Sequence, residues 1–170
     1  AGRADGLARG ARWNGQTKGD HAFSVAQHCV LVQELAVHLD TALDSKARLA
    51  ALLHDAPEYV VGDMISPFKA ALGLDYKAFE HRLLAAIHIR FGLPAQGTQV
   101  LDALIKKCDR LAAYLEATQL AGFAVEEAEK FFGKPKGLTG DAAQRFFRLK
   151  PLAPNDAAAL YLKTFKRLAP

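Results

Sequence analysis

The sequence predicts an all-α, single-domain helical bundle, and three observations predict it. Alanine and leucine are abundant while runs rich in valine, isoleucine and threonine are scarce, a balance that favours helix. Apolar residues recur at intervals of three and four, the period of a helix with one buried face. The length of 170 residues fits one domain, 1–170, with a substantial core.

Taken in order, residues 1–22 are rich in glycine and arginine and carry little periodicity. This segment is expected to be mostly irregular, with at most a short helical turn. A helix is predicted from Phe23 to Leu39, with Ser24 near its N-terminus. Ser45 is the expected cap of a second helix through Leu52, Leu53 and His54, which Pro57 interrupts. A short piece from Pro57 to Val61 leads to a Gly62-Asp63 turn, then a second turn at Ser66-Pro67.

Asp75 to Phe91 reads as an amphipathic helix with Phe79, Leu83, Ile87 and Phe91 on one face, stopped by Gly92 and Pro94. Gly97 or Thr98 opens the next helix, which runs to about Leu120. Val125 to Phe132 is a further helix ended by Gly133 and Pro135, and Lys134 to Gly140 is a loop. Asp141 to Phe147 is weakly helical, and Asn155 is the expected cap of a terminal helix, 156–167. The C-terminal part, 134–170, has no assigned role: dimer and lid element both stay open, and a homodimer with them.

Composition removes several classes. The chain is 51% hydrophobic and 24% charged, as soluble globular proteins are. A net charge of +4 permits anionic ligands, but the basic residues are scattered, with small groups at Lys106-Lys107 and Lys134-Lys136. That is no strong nucleic-acid signal. No apolar stretch is long enough to cross a bilayer, and Ala1 to Arg12 lacks the apolar region of a signal peptide. The two cysteines form no CxxC pattern or disulfide framework, so a cytoplasmic location is expected.

Polar residues on apolar stripes carry the chemistry. His28 falls among Val25, Val32, Leu35 and Leu39; Asp109 falls among Leu101, Ile105, Cys108, Ala112 and Leu115. A carboxylate facing a core is costly unless paired or bound to metal. With His54-Asp55 they make two imidazoles and two carboxylates, a set that suits one divalent ion such as Mn, Co, Zn, Fe or Ni. Cys29 and Cys108 each adjoin a proposed ligand. Helix neighbours point roughly 100° apart, so both cysteines are read as buried hydrophobes.

Around this set lies H-D-x-x-E, with Glu58 sharing a face with His54 and Asp55 on an undistorted helix. The motif text is Arg12-Trp13; Ser24-Val25-Ala26-Gln27-His28; His54-Asp55-Ala56-Pro57-Glu58; Gly62-Asp63; Pro67-Phe68-Lys69; and the run from Lys107 to Glu116. On these residues the sequence resembles the HD-domain metal-dependent phosphohydrolase superfamily, and within it the bacterial 5′-deoxynucleotidases of the YfbR type. The resemblance spans about Arg12 to Leu120.

The resemblance implies an all-helical HD domain in which His28, His54, Asp55 and Asp109 bind one divalent metal. It implies a phosphorylated small-molecule substrate, a nucleotide in the closest group. Arg12-Trp13 would then contribute to phosphate binding and deoxyribose preference, and Asp63 would lie near the sugar or leaving oxygen. Glu58, surplus to the ligands, would orient or deprotonate the attacking water. Lys69 is read as a second phosphate contact or an exposed helix lysine. The run Asn14–Phe23 departs from the nucleotidase pattern. Three alternatives remain open: an HD enzyme with another phosphorylated substrate, a two-metal oxygenase using further histidines among His21, His38, His81 and His88, and a non-catalytic nucleotide-binding module.

Overall fold

The computed structural model describes residues 2–63 and 74–169. Among them are eight α-helices and two 3-10 helices, with one isolated antiparallel bridge between Ala11 and Ser24 in place of any sheet. The all-α bundle predicted from composition and periodicity is the observed fold.

Helix α2 (Val25–Leu39) is the axis of the molecule, because it is apolar on nearly all sides. Ser24 caps it, its hydroxyl accepting from the Gln27 amide. One side of α2 joins a core layer built from Val25, Ala26, Cys29 and Val30; the opposite side joins a second through Val32, Leu35 and Ala36. Helix α3 (Ser45–Leu53) contributes to both layers.

Helix α1 (Gly2–Arg9) occupies the segment expected to be mostly irregular. Gly2 and Gly6 argue against a helix locally, but Ala4, Leu7 and Ala8 have helical spacing and are buried in the first layer. Tertiary cover outweighs propensity here. Gly10 follows because the chain passes tightly over α2: a Cβ there would stand 3.1 Å from Val25 Cγ2. A 3-10 turn, Arg12–Gly15, comes next.

Two expected caps are corrected. Asp44, not Ser45, caps α3: its carboxylate accepts from the Ala47 amide at 2.7 Å and leaves Ser45 as the first helical residue. Helix α8 (Pro154–Leu168) starts before Asn155, because Pro154 fits the first helical position, where no amide donor is needed. Between these lie α4 (Glu58–Val61), α5 (Leu74–Arg90), α6 (Gln99–Gln119) and α7 (Val125–Phe132). Thr98 caps α6 as expected. On α5 the predicted stripe is only partly covered: Ile87 is buried, Leu83 packs on the core, and Phe79 is exposed. Gly62 takes φ +78°, the left-handed conformation that ends α4. The expected turn at Ser66-Pro67 and Lys69 lie outside the described residues.

The C-terminal part closes the bundle. Helix α8 packs on α1, α2 and α3, and the 3-10 helix Asp141–Phe147 buries Phe146 in the second layer. The connection between them is held by two glutamines. Gln119 donates to the Phe146 carbonyl and accepts from the Leu149 amide; Gln27 donates to the Lys150 carbonyl and accepts from the Leu152 amide.

Candidate metal centre

Three elements bring the expected ligand set together. His28 projects from the middle of α2 and is wholly buried. His54 is the C-cap of α3 and Asp55 the next residue in a tight turn. Asp109 comes from the middle of α6. One ligand atom from each of His28, His54, Asp55 and Asp109 lies within 4.8 Å of all the others. His28 Nε2 is 3.1 Å from Asp109 Oδ1 and 3.4 Å from Asp55 Oδ2, which is 3.3 Å from His54 Nε2.

These separations are those of ligands around a shared cation. Atoms each about 2.1 Å from one centre stand roughly 3.0–3.4 Å apart in octahedral or tetrahedral arrangement. The histidines supply a second sign. His28 Nδ1 is engaged with Glu116 at 2.6 Å, and His54 Nδ1 with the Ala51 carbonyl at 2.9 Å. If both Nδ1 atoms donate, both Nε2 atoms offer lone pairs. Both Nε2 atoms are buried and neither has a hydrogen-bond partner among the described residues. The group therefore fits a divalent ion of the nitrogen- and oxygen-binding kind.

Electrostatics point the same way. Burial raises the Asp55 carboxyl, but His54 and His28 outweigh it and hold it well below the ordinary range. Asp109 is likewise lowered against burial, chiefly by His28. Burial and Arg12 disfavour the His28 cation, yet Glu116, Asp109 and Asp55 outweigh both and raise it. The carboxylates around His28 thus favour positive charge at this point, whether a proton or a metal ion. Cys29 and Cys108 are free and buried, as expected; burial pushes the Cys108 thiol up to about 12.

Glu116 is the residue the sequence reading missed. It is fully buried on α6, two turns beyond Asp109. Its Oε1 meets His28 Nδ1, while Oε2 accepts from Trp13 Nε1 at 2.9 Å and Arg12 Nε at 3.3 Å. The available signal was the one that marked Asp109: an acid on the buried stripe, four residues after Ala112.

The remaining candidates take definite places. Arg12 Nη1 pairs with Asp63 Oδ1 at 3.4 Å. Burial opposes the Arg12 cation, but Glu116 and Asp63 outweigh it and raise its pKa. Trp13 stands one carboxylate away from His28 and also packs edge-on against Phe123 and Phe132, with centroids 5.5 and 5.9 Å away. Glu58 is buried at the start of α4, and its amide donates to the Asp55 carbonyl at 3.0 Å. Its charge bears on Arg12 and Cys29. A cleft of about 890 Å³ opens from His54, Asp55 and Asp109 between α3, α5 and α6, with Leu84 and Leu101 among its apolar walls. His81 and His88 line the cleft but are not part of the ligand group.

Residues 25–114, which contain all four residues of the His/Asp group, match the HD domain family. The chain belongs to the HD domain family. Two relatives share most of this HD-domain chain. An uncharacterized protein of Rhodobacter capsulatus is 55% identical over 132 residues, 78% of this chain and 67% of the relative. The uncharacterized protein YfdR of Escherichia coli is 30% identical over 149 residues, 88% of this chain and 73% of the relative. Membership brings metal-dependent phosphohydrolase-type chemistry, which the His/Asp group of this HD domain is equipped to support. Among the described residues, no helix is long and apolar enough to cross a membrane.

Proposed function

We propose that this HD domain is a phosphomonoester hydrolase that releases inorganic phosphate from nucleoside 5′-monophosphates, deoxyribonucleotides included. One observation carries the reading: two imidazole Nε2 atoms that make no hydrogen bond among the described residues and two carboxylates converge at the end of a cleft whose volume suits a small-molecule ligand.

His28, His54, Asp55 and Asp109 would hold a divalent ion, which would supply Lewis acidity toward a phosphoryl oxygen and lower the pKa of water. Glu58 takes a proton from the attacking water as its oxygen bonds to phosphorus. The bond from phosphorus to the sugar 5′-oxygen breaks, the proton held by Glu58 passes to that oxygen directly or through water, and the nucleoside and inorganic phosphate leave. Arg12 offers Nη2 to the phosphate, its remaining guanidinium atoms fixed by Glu116 and Asp63. Asp63 on the sugar and leaving-oxygen side and Trp13 at the ribose 2′-position are assigned on the sequence motif, as neither is among the described residues that line the cleft. Lys69 is assigned as a second phosphate contact on the sequence motif alone.

Metal analysis of the purified protein, followed by a phosphate-release screen over ribo- and deoxyribonucleoside 5′-monophosphates, tests this. Sugar phosphates and nucleoside 3′-monophosphates serve as controls. The expected result is one bound ion per chain and turnover confined to the 5′-monophosphates. Equal or faster release from the sugar phosphates overturns the nucleotide assignment. Metal binding without release from any substrate overturns the hydrolase assignment.

A further inference from the structure

We propose that Glu116 is a positioning residue that ties the metal centre to the Arg12–Trp13 turn, so that metal loading and the seating of that turn stabilise one another. The inference rests on His28 being a metal ligand, as read above.

Glu116 has no contact with solvent, so its charge must be met by protein donors. The three side chains that meet it are functionally unlike. His28 is a ligand from α2; Arg12 and Trp13 come from the 3-10 turn ahead of that helix. One oxygen faces the metal ligand and the other faces the turn. The carboxylate fixes the His28 tautomer by engaging Nδ1, which leaves Nε2 as the basic atom facing Asp55 and Asp109.

The turn needs an anchor. Trp13 and Asn14 adopt φ +58° and +52°, a left-handed conformation that is unfavourable for a bulky side chain such as Trp. The indole bond to Glu116 and the edge-on contacts with Phe123 and Phe132 hold Trp13 there. Drawing charge from His28 Nε2 makes Nδ1–H a stronger donor and fixes the carboxylate more firmly. The same carboxylate then receives the indole and guanidinium donors in a set orientation. Thermodynamic linkage requires the converse: a seated turn holds the carboxylate where His28 binds metal best.

Trp13 is the only tryptophan, so its emission reports on the turn. Zn²⁺, whose filled shell does not itself quench, is titrated into metal-free wild type, Glu116→Gln and Trp13→Phe. Affinity is read by chelator competition and, where the indole is present, by fluorescence. Wild-type emission is expected to change on loading. Glu116→Gln should lose that change and bind Zn²⁺ about 10–100-fold more weakly. Trp13→Phe keeps an aromatic ring against Phe123 and Phe132 but lacks the donor, and should weaken Zn²⁺ binding several-fold without touching a ligand. If Glu116→Gln does not fold, Trp13→Phe decides alone. Wild type that binds no Zn²⁺ overturns the metal reading itself. Wild type that binds, with variants of unchanged affinity, overturns the coupling and leaves the metal site standing.

Discussion

Asp109 Oδ1 lies 3.1 Å from His28 Nε2, joining α6 to α2 at the metal group, while the Asp109 side chain keeps 43% of its exposure. A side chain with that much exposure can be shortened without opening the core. Asp109→Ala is therefore expected to lose the bound ion, and phosphate release with it, while helicity and the melting temperature of the metal-free protein change little. Metal analysis and circular dichroism on the same sample check this. A fully loaded Asp109→Ala protein would remove Asp109 from the ligand set.

Glu58, as the proposed base, should separate chemistry from metal holding. Glu58→Gln should retain one ion per chain and lose turnover by about two orders of magnitude or more, the scale of a positioned general base. Single-turnover phosphate release beside metal content is the measurement. Parallel loss of the ion would make Glu58 a ligand, and undiminished turnover would remove it from the mechanism.

Arg12 and Trp13 should differ in kind. Arg12→Ala is expected to raise KM for ribo- and deoxyribonucleotides alike, because both present the same phosphate. Trp13→Leu, if the indole reads the sugar as proposed, should change their kcat/KM ratio by up to ~10²-fold, the limit for rejecting a hydroxyl by contact alone. A constant ratio in folded Trp13→Leu would assign the indole to packing and to Glu116 only.

Gln27 is 7% exposed and makes two backbone hydrogen bonds to the C-terminal connection. Gln27→Met should leave the Lys150 carbonyl and Leu152 amide short of partners, costing about 1–3 kcal/mol in unfolding free energy. Metal stoichiometry should not change, although the neighbouring residue is His28. Urea unfolding with metal analysis tests both halves.

The four proposed metal ligands were legible because a polar group on an apolar stripe is a local anomaly. His28 and Asp109 each broke such a stripe, and His54-Asp55 stood ahead of Pro57. Glu116 breaks the same stripe as Asp109, yet near the end of a helix an acid reads equally well as a solvated residue. Only the position of His28, contributed by α2, distinguishes the two. Helix α1 escaped notice for a related reason. Its glycines dominate local propensity, while the surface that buries Ala4, Leu7 and Ala8 belongs to distant parts of the chain. The cap corrections at Asp44 and Pro154 shift helix starts by one or two positions, the usual scale of uncertainty at helix ends.

Gln27 and Gln119 read the C-terminal connection by its carbonyl and amide groups, which every non-proline residue presents alike. Leu149 and Leu152 must each keep an N–H to donate; Pro151, which has none, falls between the contacted positions Lys150 and Leu152. Attachment at these contacts is thus nearly independent of side-chain identity. Leu149 and Leu152 do add side-chain packing to that attachment, one on each core layer, and a change to proline at either would remove the amide donor together with that packing.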